Sequence, residues 1–181
     1  MTPSLEMRPS PGYTPMVGSL VAMLEYTRVT TLDSVADLTV ADLDHQHDAK
    51  ANPIGALLAH ITAVEWVYTA STVGGPTPSD TDWAEWGPLL RLEPAVWDFA
   101  RGRPVEWHVE RLRAVRGRTL EGFRAFDDAW LEQPATLSWA RGAPTNLWAW
   151  YHVMEDELNH RGQIRWLRSR LHDEGVRQVR D

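Results

Sequence analysis

Cysteine is absent from the 181 residues. Its absence excludes disulfides, thiolate metal sites and a cysteine nucleophile. Lysine occurs once, at Lys50, so Schiff-base chemistry has a single position to use. No apolar run approaches the roughly 20 residues that a helix needs to span a bilayer. The N-terminal stretch MTPSLEMRPSPGYTP also lacks the apolar core of a signal peptide. These features predict a cytoplasmic protein with no membrane partner. Lys and Arg together number 18 against 25 Asp and Glu, a formal net charge of -7. That balance argues against a nucleic-acid partner, because phosphate binding needs a clustered basic surface. Also missing are G-x-S-x-G, H-E-x-x-H, a phosphate-binding loop and a dinucleotide fingerprint. No internal repeat, low-complexity tract or strand alternation is present.

What is present is helical periodicity. The chain is 43% hydrophobic and of a length suited to one domain with a proper core. Residues 1–14 are Pro- and Gly-containing and aperiodic, and read as a flexible arm. Pro15 suits a helix start, and Val17, Leu20, Val21, Leu24 and Thr31 then recur at helical spacing to about Leu32–Val35. TVADLDHQHDAKAN reads as a connecting loop. Asn52-Pro53 reads as an N-cap followed by a first-turn proline. It opens a second long helix to about Thr72, with Ile54, Leu57, Leu58, Ile61, Val64 and Tyr68 on one face and a stop at Gly74-Gly75-Pro76. Residues 73–104 form a long connection, with a short helical turn expected near Glu93–Ala100. A third long helix is expected from Val105 to Leu131, carrying Leu112, Val115, Phe123, Phe126 and Trp130. A fourth runs from Asn146 to Leu171, capped by Thr145 or Asn146. These elements predict an all-α four-helix bundle with a long crossover between the second and third helices. The expected domain covers 15–175, with a frayed tail at 176–181.

The fourth helix carries the chemistry. Ala149, Val153, Ile164, Leu167 and Leu171 form its apolar stripe. His160 falls within that stripe, Asp156 and Glu157 flank it, and Arg161, Arg165 and Arg168 point toward water. A buried imidazole between carboxylates costs free energy unless each group has a partner. Asp156 and His160 are spaced i, i+4 on one face, and His60 of the second helix can approach them across the core. Two imidazoles and a carboxylate suit one divalent metal, Zn, Ni, Mn or Fe, with open positions for water or substrate. Glu65, Glu157 and Gln163 are candidates to support those ligands. A hydrogen-bonded core histidine is the alternative, because D-x-x-x-H is frequent by chance.

E-x-x-H at Glu157–His160 lacks the second copy that a di-iron bundle requires. His152 lies two turns before His160, roughly 12 Å along the axis, and reads as a partner or pocket wall. His45 and His47 read as a solvated loop with weak metal capacity. His108 reads as a satisfied core residue. The ten tryptophans read mostly as core or pocket aromatics, with Trp83 and Trp86 placed to cover a site mouth.

LLAHITAVEWVY and HVMEDELNHRGQI together resemble the second- and fourth-helix motifs of the DinB/YfiT-like four-helix-bundle family. Helix order, the long connection and total length agree with it. The resemblance implies a metal triad at His60, position 156 and His160. The commonest pattern in that family has His where this chain has Asp156. A subgroup has Glu there, together with a His matching His152. Characterised relatives include mycothiol- and bacillithiol-dependent transferases, which implies a low-molecular-weight thiol as co-substrate. The leading expectation is a metal-dependent thiol S-transferase acting on a small-molecule substrate. A metal-dependent hydrolase and a metal-free stress-response or binding bundle are the alternatives. A homodimer through a helix face fits a bundle of this size.

Overall fold

A computed structural model describes residues 6–74, 78–137 and 139–171. Among them there is no strand, and Pro134 and Thr145 form an isolated antiparallel bridge. The helices in chain order are α1 (Pro15–Asp33), α2 (Val40–Asp44), α3 (Ile54–Thr72), α4 (Asp80–Trp86), α5 (Pro94–Ala100), α6 (Val105–Phe123), α7 (Asp128–Glu132) and α8 (Asn146–Arg168). A 3-10 turn, Gly87–Leu90, follows α4. The four long helices α1, α3, α6 and α8 pack as the expected bundle, α3 and α1 each touching both α6 and α8. No helix of the described residues is long and apolar enough to cross a membrane.

α3 departs from the expected single apolar face. Every residue from Ile54 to Thr69 is buried, with α5 and the 3-10 turn packed on the side away from the bundle. A helix that is apolar almost all round belongs in the interior, and Glu65 is the one Asp, Glu, Lys or Arg along it. Its start also differs, because Pro53 is the N-cap and makes no side-chain bond. Asn52 instead accepts a hydrogen bond from the Trp97 indole at 2.9 Å. α3 ends at Thr72, and Gly74 follows at φ 79°, a left-handed position that glycine takes without a Cβ penalty. Gly75 and Pro76, expected to complete the stop, lie outside the described residues, as do residues 1–5 and the 176–181 tail.

The third long helix is shorter than its apolar periodicity suggests. α6 stops at Phe123, and Asp127 caps a separate α7 by accepting from the Trp130 amide at 3.2 Å. Aspartate competes with helical backbone bonding in this way and favours a cap over a helix interior. Asp128 then reaches α1, accepting from the Met16 and Val17 amides at 2.9 and 3.1 Å. The Thr14 hydroxyl donates to the same carboxylate. The stretch just before α1 is tied down further where the Tyr13 hydroxyl donates to Leu120 O at 3.0 Å.

α2 and α4 replace expected loop. Each opens on a capping box, Thr39 with Asp42 and Ser79 with Asp82, in which side chain and backbone cap one another. α5 appears where the short turn was expected. At the start of α8 the Thr145 hydroxyl accepts from the Trp148 amide at 3.2 Å. The α8 arginines do not stand free in water. Arg161 donates to the Thr30 hydroxyl, Arg165 to the Ser34 hydroxyl at 3.0 Å, and Arg168 to Ser34 O at 2.8 Å and to Asp37. They lock α8 to the end of α1.

Between the long helices the core has two apolar halves, and a third, smaller cluster packs Leu89, Val96 and Ala100 onto Ala56, Ala59 and Ala63 of α3. One half gathers Leu20, Leu24, Val67, Phe123 and Trp150, and the other Leu43, Leu57, Ile61, Leu112 and Ile164. On α3 and α8 the halves are separated by polar positions, His60 and Glu65 on the first, and Asp156, Glu157 and His160 on the second. Arg28 and Arg116 enter the same middle layer from α1 and α6. That polar layer holds the site.

Candidate metal centre

His60 on α3 and Asp156 and His160 on α8 converge, with one ligand atom of each within 4.8 Å of the others. His60 Nε2 lies 3.5 Å from Asp156 Oδ1, and His160 Nε2 lies 3.3 Å from the same oxygen. The imidazoles meet edge to face, with centroids 4.9 Å apart and an interplanar angle of 84°. Two donors bound at 2.0–2.1 Å to a tetrahedral ion sit roughly 3.4 Å from each other. The observed separations match that spacing and lie at the long end for hydrogen bonds.

The far side of each ring is tied back. His60 Nδ1 is 2.8 Å from Leu89 O. A carbonyl only accepts, so Nδ1 carries a hydrogen and Nε2 is the ring nitrogen turned toward Asp156. His160 Nδ1 is 3.2 Å from Gln163 Oε1, with the same consequence. Such bonds from the second ring nitrogen orient metal-binding histidines and raise their basicity. Leu89 belongs to the 3-10 turn of the crossover and is itself buried against Ala56, Ala59 and Ala63 of α3. The long connection therefore serves the site through a backbone carbonyl. Trp83 and Trp86 do not cover it, because they pack edge-on and stacked against Trp66, at 5.8 and 5.2 Å.

Burial by itself would push the Asp156 carboxyl up. Hydrogen bonding to His160 and His60 and their charge outweigh that and hold it well below the usual carboxylate range. Burial likewise opposes charge on His160, but Asp156 beside it and Gln163 raise its pKa. Asp156 is thus ionised, as metal binding requires. Its second oxygen, Oδ2, is buried with no hydrogen-bond partner among the described residues. A buried orphan lone pair on a charged group is costly, and a cation among these atoms would relieve it. The donor set, the tied-back rings and the orphan oxygen all fit a divalent metal.

Glu65 and Glu157, expected to support the ligands, have other partners. Arg28 donates to Glu157 through Nε at 2.9 Å and Nη2 at 3.1 Å, and to Glu65 at 2.6 Å. Arg116 donates to Glu65 through Nε at 2.6 Å and Nη2 at 3.1 Å, and Thr119 adds a bond at 2.8 Å. The remaining guanidinium hydrogens reach Leu112 O and Leu24 O, each at 2.7 Å. Burial would push the Glu65 carboxyl up, but Arg116 and Arg28 hold it down to about 2. These four charges join all four long helices. No motif marks Arg28 and Arg116, but helical spacing places Arg28 with Leu24 and Thr31, and Arg116 with Leu112 and Thr119, on the inward faces of α1 and α6.

Three of the other described histidines stand apart from the centre. His152 is partly exposed, stacks on Trp148 at 5.3 Å, and walls an open groove with Tyr68 and Trp139. His47 packs edge-on to Trp166 at 4.9 Å. His108 is buried as expected but not satisfied, because neither ring nitrogen has a hydrogen-bond partner among the described residues. Burial and the nearby Arg111 and Arg103 lower its pKa to about 4, so the ring is neutral.

The mycothiol-S-transferase family model matches residues 19–173, which includes all of α3, the crossover and all of α8. The chain belongs to the mycothiol-S-transferase family. The DinB/YfiT-like resemblance of the two helix motifs stands, and the fold is that of a DinB-like helical bundle. No curated protein matches the chain. Within this mycothiol S-transferase-like bundle, His60, Asp156 and His160 lie where the two motifs meet.

Proposed function

We propose that this protein is a metal-dependent mycothiol S-transferase whose His60, Asp156 and His160 hold one divalent metal ion. The observation that carries the reading is the convergence of two Nε2 atoms on one Asp156 oxygen at 3.3 and 3.5 Å, with both rings anchored from behind. Two imidazoles and one carboxylate suit Zn, Ni, Mn or Fe. When bound, such an ion supplies Lewis acidity that lowers the pKa of a thiol, giving thiolate at neutral pH. The protein groups do the rest. Leu89 O and Gln163 fix the tautomers, and Asp156 supplies a negative charge. The apolar halves above and below the polar layer limit water around it.

In the transfer, sulfur forms a bond to an electrophilic carbon as the bond to the leaving group breaks with its electron pair. The thiol proton passes to solvent. The family match supports the thiol as co-substrate, and the donor set supports the metal.

The test is turnover of 1-chloro-2,4-dinitrobenzene by zinc-loaded protein, with and without mycothiol and with and without EDTA. The reading predicts product only when thiol and metal are both present. Ester hydrolysis indifferent to added thiol would favour metal-activated water instead, and dinitrophenyl transfer unaffected by EDTA would remove the metal from the reaction.

A further inference from the structure

The centre lies midway along one stripe of α8 that is exposed toward both ends and half-buried at His152 and Asp156. Trp148, His152, Asp156, Asn159, Gln163 and Trp166 follow one another at spacings of three and four residues, so they share one side of the helix. Each end of the stripe borders an open groove, and the two grooves differ in chemistry.

Before Asp156, a groove of about 740 Å³ is walled by Trp139, Trp148, Tyr68 and His152, with Arg141 at its edge. Trp139 and Trp148 are both 45% exposed although large and apolar. Tyr68 meets Trp139 edge-on at 5.8 Å, and the His152 and Trp148 rings lie parallel within 3°. Beyond Asp156, a groove of about 590 Å³ is walled by Lys50, Asn52, Asn159, Gln163 and Trp166. This end offers side-chain amides and the one lysine of the sequence. Asn52 Oδ1 accepts from Trp97, which leaves its NH₂ group as a donor. Arg170 lies 3.9 Å over the Trp166 ring and adds a guanidinium to the same end. Gln163 joins this groove to the centre through its bond to His160.

A transferase of this family needs room for two unlike substrates around one metal. Mycothiol carries its cysteinyl thiol on a glucosamine–inositol pair, rich in hydroxyls and without a flat apolar surface. Hydroxyls take hydrogen bonds from amides, ammonium and guanidinium groups. A flat aromatic electrophile instead matches indole and phenol walls, with Arg141 suited to an attached anion.

We propose that the two ends of the α8 stripe divide the substrates between them, the Lys50–Asn52–Asn159 end holding the sugar–cyclitol part of the thiol and the Tyr68–Trp139–Trp148 end holding an aromatic electrophile. This assignment rests on the thiol-transfer reading above. Asn159 lies one turn beyond Asp156 and Trp148 two turns before it, so both ligands extend toward the same carboxylate.

The test uses S-methyl mycothiol, which keeps the sugar–cyclitol pair but has no free thiol to bind metal or be transferred. Its Kd for the zinc-loaded protein is read by calorimetry. The Lys50→Ala/Asn159→Ala variant is expected to raise that Kd roughly tenfold, the loss of about two hydrogen bonds. The Trp139→Ala/Trp148→Ala variant is expected to change it less than twofold. Lys50→Glu alone, a surface change that leaves the core untouched, is expected to weaken binding in the same direction. An unchanged Kd in the Lys50 variants, weakening only in the tryptophan variant, or no binding to the wild type would each overturn the assignment. Because the probe cannot react, failure of metal-dependent transfer with this binding pattern intact would sink the transferase reading alone.

Discussion

Asp156 and Glu157 are neighbours in the chain, yet their carboxylates belong to two different kinds of polar cluster. Glu157 faces Arg28 and Arg116, and its cluster is closed, with every guanidinium and carboxylate group paired. Asp156 faces His60 and His160, and its cluster is open, with long contacts and one buried oxygen unpartnered. Both clusters draw on α3 and α8. The difference separates a polar cluster that satisfies itself from one that leaves a carboxylate oxygen unmet beside two imidazoles. Burial and charge alone do not distinguish them.

The sharpest way to break this comparison is to disturb the closed cluster. Glu65→Ala leaves Arg28 and Arg116 facing Glu157 alone among the buried carboxylates. It is expected to cost about 3–5 kcal/mol in a urea titration, as removal of one partner of a buried pair does. A loss below about 1 kcal/mol would mean that the cluster is not the fold's internal tie, since that is the range of exposed ion pairs.

Acid sharpens the same contrast. The folded pKa of Glu65 lies at about 2 against an ordinary 4.5. A depressed carboxylate contributes stability that is complete above its unfolded pKa and is lost as pH falls through the folded value. That contribution is about 3 kcal/mol, expected to disappear between roughly pH 5 and pH 2. Glu65→Gln should flatten this part of the stability profile. An unaltered acid slope in that variant would assign the loss to other carboxylates.

The open cluster is expected to respond in metal affinity more than in stability. Gln163→Ala removes the partner of His160 Nδ1 and should weaken zinc binding about 10–100-fold, the usual effect of losing such a support. A competition titration with a chromophoric chelator checks it. Asp156→Ala, measured on chelator-treated protein, should cost less than Glu65→Ala, because the contacts it removes are longer and one of its oxygens is unpartnered among the described residues. A cost as large as that of Glu65→Ala would place Asp156 in a structural role.

Sequence and structure part company along this same line. The triad was legible because i, i+4 spacing puts Asp156 and His160 on one helix face, and because two motifs resembling one family flank it. The roles of Glu65 and Glu157 were not legible. A helical wheel shows which side a residue takes but not which arginine arrives from another helix. Leu89 was hidden for a similar reason, since a backbone carbonyl leaves no mark in residue identity. The four long helices followed from apolar periodicity, but periodicity ran on through the break between α6 and α7, where the Asp127 cap prevails. α2 and α4 did carry a signal in Thr39-x-x-Asp42 and Ser79-x-x-Asp82. Both capping boxes sit in polar stretches with too little apolar pattern to stand out as helix.

The most direct test of the central claim is metal content by mass spectrometry on untagged protein, beside Asp156→Ala and His160→Ala. The account predicts close to one equivalent of Zn, Ni, Mn or Fe in the wild type and its loss in both variants, with the fold retained. A metal-free wild type that no added divalent ion stabilises would contradict it, and the His60–Asp156–His160 group would then be a second structural cluster, left incomplete.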